Sequence, residues 1–175
     1  MPTLPTPEEL EEVEDFLRTE KLLDGPCPLW VRSAYPGELQ ATWAILDDLR
    51  IQSGSLRFRC RQDRSDPSIS VIFRDRPIWR LDMVEQTNCK PNPMGAFGLG
   101  LSARVCGPHY HAWPDNRLYI ERHGFGRLPF RRELPRQIRR LNQALAALAS
   151  EINLTLDGSQ RDFDVPPATD LFGMH

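Results

Sequence analysis

Apolar residues recur at helical spacing near both ends of the chain and at every second position through much of its middle. At the N-terminal end Leu10, Val13, Phe16 and Leu17 form one stripe, with Glu11, Glu12, Glu14 and Asp15 on the opposite side. Thr6, Pro7 and Glu9 supply an N-cap, a first-turn proline and a capping box, and Asp24-Gly25-Pro26 stops the run. A helix over Thr6–Leu23 is predicted. A second stripe, Ile138, Leu141, Leu145, Leu148 and Ile152, predicts a helix over Pro135–Asn153.

Between them the period falls to two. Leu29–Ala34 reads as a short strand, followed by a turn at Tyr35-Pro36-Gly37. Leu39, Ala41, Trp43 and Ile45 alternate with smaller or polar residues, and so do Leu56, Phe58 and Cys60. Ile69–Phe73 and Ile78–Met83 flank Arg74-Asp75-Arg76-Pro77, a hairpin connection. Arg57, Arg59 and Arg61 fall on the face opposite Leu56, Phe58 and Cys60, so one side of the sheet is either solvated or a shallow basic surface. Residues 84–116 are dense in glycine and proline and read as a long loop, the kind that often carries function. Arg117–Arg122 reads as a further strand, His123–Gly126 as its turn and Leu154–Leu156 as a short edge strand. The fold class is α+β: a mainly antiparallel sheet flanked by N-terminal and C-terminal helices, one domain over 1–156, with a polar, proline-bearing tail over 157–175.

Composition narrows the function classes without choosing one. With 175 residues, 40% hydrophobic and 26% charged, the chain is long enough to bury a core without metal or disulfides. A net charge of −2 gives no global case for nucleic-acid or membrane binding. Arg131, Arg132, Arg136, Arg139 and Arg140 make the strongest local basic patch. No run approaches the ~20 apolar residues of a membrane helix, and Met1–Thr6 lacks the features of an export signal, so a cytoplasmic protein is expected. Cys27, Cys60, Cys89 and Cys106 are then expected as free thiols or metal ligands rather than disulfides.

The chemistry-bearing residues gather in the long loop. Cys89, Cys106, His109 and His111 could close a tetrahedral zinc site, although the spacing is not that of a zinc finger. Alternation along a strand would place His109 and His111 on one face. The expectation for cofactors is therefore none, or zinc on these four, against ordinary loop histidines and buried thiols. Without metal, His109, His111 and His123 could serve as acid and base in phosphodiester cleavage, with Arg117 among the arginines able to stabilise a phosphate. Phosphate-loop, nucleophile-elbow and His-Glu-x-x-His motifs are absent from the sequence.

The Gly107-Pro108-His109-x-His111 segment, following Trp79-Arg-Leu-Asp82, resembles small toxin components of bacterial toxin–antitoxin pairs, similar to the TumE-type toxins. That resemblance implies a small cytoplasmic effector acting on RNA and a cognate antitoxin as partner. In the tail, Ala168–Phe172 resembles the pentapeptide by which bacterial proteins dock on the replication sliding clamp; Asp170, Leu171 and Phe172 match its last three positions, while Ala168 replaces the usual Gln. Two adjacent large apolar residues in a polar tail either fold back or enter a partner's pocket. Three functions stay open: an interaction protein or toxin-like effector docking a partner such as the clamp through its tail, a His- or zinc-dependent ribonuclease, and an accessory protein-binding domain.

Overall fold

The computed structural model describes residues 3–167. Helix α1 spans Pro7–Arg18, with the Thr6–Glu9 capping box in place. It is shorter than the predicted Thr6–Leu23, because Lys21–Leu23 leaves the helix to form strand β1. Lys21 turns its ammonium back onto the carbonyls of Phe16, Leu17 and Thr19 and so serves the helix end that a longer helix would have served itself.

The period-two segments form the sheet. Strands β2 (Val31–Arg32), β3 (Glu38–Leu46), β4 (Gln52–Arg61), β5 (Ser68–Phe73) and β6 (Arg76–Asp82) follow in order. The β5–β6 turn is Arg74-Asp75, both at positive φ (49° and 61°), as a tight two-residue hairpin requires. Cys89–Pro91 (β7) and Arg104–Cys106 (β8) make a separate two-stranded ribbon, followed by β9 (His109–His111). Strands β10 (Arg132–Glu133) and β11 (Leu154–Thr155) complete the set. The main sheet runs β10-β9-β6-β5-β4-β3-β1-β11, with β2 beside β3; every pairing in it is antiparallel except β1 with β11. The fold is the expected α+β arrangement.

Two of the later elements also differ from the sequence reading. Arg117–Arg122, expected as a strand, lies inside helix α2, Trp113–His123. Pro114 and Asp115 mark its first turn and Gly124, at φ 86°, ends it. Helix α3 covers Leu141–Glu151 and not Pro135–Asn153. Arginines 136, 139 and 140 would place cations at the positive end of a longer helix. The helix starts instead where the Gln143 side chain accepts the amides of Arg139 and Arg140.

One apolar cluster joins Leu10, Val13 and Phe16 of α1, Trp113 and Ile120 of α2 and Leu141, Leu145 and Leu148 of α3 to the inward residues of the strands. The segment after β11, expected to begin the polar tail, packs onto this core. Phe163 is buried against Trp30, Trp43 and Phe58, with ring centroids 4.7–5.6 Å away. Arg64 donates to the carbonyls of Pro166 (2.7 Å) and Pro167 (3.1 Å). Asp170, Leu171 and Phe172 lie outside the described residues. No helix among the described residues is long and apolar enough to cross a membrane.

Candidate functional site

The outer face of the sheet is built by register. Thr42, Arg57, Ser70, Arg80 and His111 are successive cross-strand partners over β3, β4, β5, β6 and β9. Gln40, Arg59, Ser68, Asp82 and His109 form the neighbouring row. Because side chains alternate along each strand, both rows project away from the apolar core that Leu56, Phe58, Ile69, Val71 and Leu81 fill on the other side. A polar trough of about 450 Å³ lies over these rows. Its charge is balanced: Arg57, Arg59, Arg61 and Arg80 face Glu38, Asp66, Asp75 and Asp82. Three of the arginines pair with carboxylates: Arg59 with Glu38, Arg61 with Asp66 and Arg80 with Asp82. Among the described residues Arg57 has no such partner.

Three buried ionisable groups meet beside the trough, two of them, Asp82 and His111, in its lining. Asp82, His109 and His111 are 8%, 5% and 7% exposed. Asp82 Oδ2 stands 3.6 Å from His109 Nε2 and 3.4 Å from His111 Nε2. The other carboxylate oxygen, Oδ1, accepts both Arg80 Nε (2.9 Å) and a terminal Arg80 nitrogen (2.7 Å). Burial alone would raise the Asp82 carboxyl, but His111 and the Arg80 guanidinium outweigh it and hold it below the ordinary carboxylate value. Burial pushes His109 below the usual histidine value, against the opposing pull of the Gly107 carbonyl and Asp82.

The ring of His109 is fixed from behind. Its Nδ1 lies 2.8 Å from the carbonyl of Gly107. A carbonyl only accepts, so Nδ1 carries the hydrogen and Nε2 turns its lone pair toward Asp82. Gly107 holds this geometry at φ 80°, and a Cβ there would lie 2.6 Å from Gln86 Oε1. His111 Nδ1 is buried and has no hydrogen-bond partner among the described residues.

A fourth group flanks the three. Arg131 is presented by two asparagine side chains that imitate strand partners. Asn92 bonds the Arg131 carbonyl and amide, at 2.9 Å each. Asn116, fully buried, does the same to Phe130 and also donates to Ala112 O. The Arg131 Nε is buried without a partner among the described residues, and its charge acts on both Asp82 and His109.

Of the residues expected to carry chemistry, the structure brings His109 and His111 together and leaves out the rest. Cys89 and Cys106, expected as zinc ligands, are joined to each other across β7 and β8 in a disulfide. The two sulfurs are therefore not available as ligands, and Asp82 stands where they were expected. Arg117, expected to stabilise phosphate, is committed to Glu14 (2.6 Å) and Glu121. His123 is exposed at the end of α2, its ring tilted against Tyr119. Neither belongs to the trough. Asp82, Arg80 and Arg131 were missed. The alternation Arg80-Leu81-Asp82 marks two charges on one strand face, but only the pairing of β6 with β9 gives them their histidines. In comparisons with family models, curated proteins and solved structures, the chain matches none.

Proposed function

We propose that the chain is a phosphodiester hydrolase of the ribonuclease type, with its reacting centre at Asp82, His109 and His111. The observation that carries this reading is the convergence of these three buried groups beside an arginine-bearing trough. Buried, perturbed carboxylate and imidazole groups in a cleft are the usual materials of hydrolytic chemistry. The trough's volume suits a nucleotide-sized ligand. In the net reaction a water oxygen bonds to phosphorus, the P–O ester bond breaks, and the leaving oxygen takes up the proton that water gives up. The centre's part is to activate the water. Arg57 and Arg131, whose guanidinium groups are not committed to carboxylates, would take the phosphate charge.

The balanced charge of the trough limits the substrate. With only one or two free cations among the described residues, it suits a short phosphodiester segment and not a long polyanion. Binding should weaken only gently with salt, with a slope set by about one or two neutralised phosphates. The test is cleavage of varied single-stranded RNA oligonucleotides by the purified protein, with and without added divalent metal. His109→Gln and His111→Gln should each abolish cleavage with the fold retained, and Arg57→Ala should raise KM more than it lowers kcat. Intact RNA under every condition would remove the reading.

Docking through Asp170, Leu171 and Phe172 is a second reading. One observation favours it: Arg64 anchors the chain at Pro166 and Pro167, immediately before the motif, and Pro167 is exposed. Titration against purified sliding clamp, with a Leu171→Ala/Phe172→Ala variant as the control, decides it. No binding by the intact chain ends it.

A further inference from the structure

We infer that Asp82, His109 and His111 form a three-ligand site for a divalent first-row transition cation of the zinc class. The use of such a site rests on the hydrolytic reading above, but the binding itself does not.

The argument begins with an unsatisfied geometry. Both imidazole Nε2 atoms converge on the same carboxylate oxygen, Asp82 Oδ2, at 3.6 and 3.4 Å. Neither distance is that of a good hydrogen bond, whose donor and acceptor lie within about 3.2 Å. His109 cannot supply a proton there in its neutral form, because its hydrogen sits on Nδ1 facing Gly107 O. Lone pairs on a buried nitrogen and a buried carboxylate oxygen therefore face each other, and a positive charge between them is what would relieve the repulsion.

The spacing fits such a cation. Ligand bonds of about 2.0–2.2 Å at tetrahedral angles place neighbouring ligand atoms about 3.4 Å apart. The three ligand atoms here lie within 4.8 Å of one another. The supporting groups also fit. A metal-bound histidine usually donates its other nitrogen to a backbone carbonyl, as His109 does to Gly107. A ligating carboxylate is usually held by a hydrogen bond on its free oxygen, as Arg80 holds Oδ1.

The donor set names the metal class. Two imidazoles and one carboxylate suit zinc, iron, cobalt or nickel rather than calcium or magnesium, which prefer all-oxygen shells. Two of the three ligands, Asp82 and His111, line the trough, so a cation held here would keep a position toward it for water or a substrate oxygen, the pattern of catalytic rather than structural sites.

The test is direct binding to the full chain after chelator treatment. Zinc is titrated by calorimetry, and cobalt(II) is followed by its visible d–d absorption. One equivalent per chain is expected, with a raised Tm on addition of either metal. His109→Gln, His111→Gln and Asp82→Asn should each weaken zinc at least about tenfold. Asp82→Asn leaves Arg80 without its counter-charge, so the two glutamine variants carry the conclusion if it fails to fold. A Cys89→Ser/Cys106→Ser variant should keep the site. Binding that survives both glutamine variants, or that is lost with the two cysteines, overturns the proposal, and so does an absence of binding by the folded wild-type chain. Zinc binding without RNA cleavage would sink the hydrolase and leave the site; RNA cleavage by a folded chain that binds no zinc would do the reverse.

Discussion

Lys21 is 1% exposed, an unusual place for an ammonium group. It is tolerated because the carbonyls of Phe16, Leu17 and Thr19 converge on it at the negative end of α1, with the Phe16 ring beneath. Lys21→Met keeps the volume but orphans those acceptors, so a loss of about 1–3 kcal/mol is expected by denaturant titration. Burial pushes Lys21 down to about 8. Below that value folded and unfolded chains both hold the proton, and the group gives no slope with pH. Between about pH 8 and 10.4 the unfolded chain binds more protons, so stability rises with pH. The wild type should therefore gain on Lys21→Met across that window; a constant difference between the two would show the ammonium to be unperturbed. The two free thiols make a simpler case. Burial raises both Cys27 and Cys60, Cys60 to about 11, so neither is a ready thiolate at neutral pH. A colorimetric thiol reagent should find Cys60 silent until the chain unfolds and the half-buried Cys27 slow.

Elements were legible in the sequence where their pattern was repeated and self-contained. β3 alternates along its whole length and β4 through its second half, and the β5–β6 hairpin carries its own turn. α2 was not legible, because Leu118 and Ile120 also read as alternation; of its surest marks, Pro114 fell in the stretch read as loop and Gly124 in the turn read after a strand. The segment 157–167 was misread for a different reason. One phenylalanine in a polar run carries no period, yet Phe163 completes the aromatic cluster around Trp43. Phe163→Ala should cost about 3–5 kcal/mol. A chain ending at Leu156 should be strongly destabilised against one ending at Pro167. Equal melting of the two would show that the segment merely rests on the surface.

At the scale of the whole molecule, the sheet separates two jobs. Its inner face holds three helices through one apolar cluster, and its outer face spreads two polar rows across five strands. The histidine pair was legible, because a His-x-His strand shows one face. Its carboxylate was not, because Asp82 reaches it only through a long-range strand pairing. The cysteines were misassigned because sequence spacing shows no register; in the fold, Cys89 and Cys106 are direct cross-strand partners.

That cross-link has a thermodynamic consequence. Cys106 lies three residues before His109, and the intervening Gly107 sets the imidazole; Asn92, within the same closed loop, holds Arg131. If that geometry couples the ribbon to the site, whatever occupies the outer-face site favours the arrangement in which the two sulfurs are paired, and by linkage the paired sulfurs favour the occupant to the same degree. In a glutathione titration the midpoint for opening Cys89–Cys106 should shift toward more reducing conditions when zinc is present, and zinc affinity should fall by the matching factor after reduction. Equal midpoints with and without zinc would mean that the ribbon and the site are energetically independent. If they are coupled, the redox state of the surroundings becomes a second ligand of this protein, competing through chain geometry with whatever binds at the histidines.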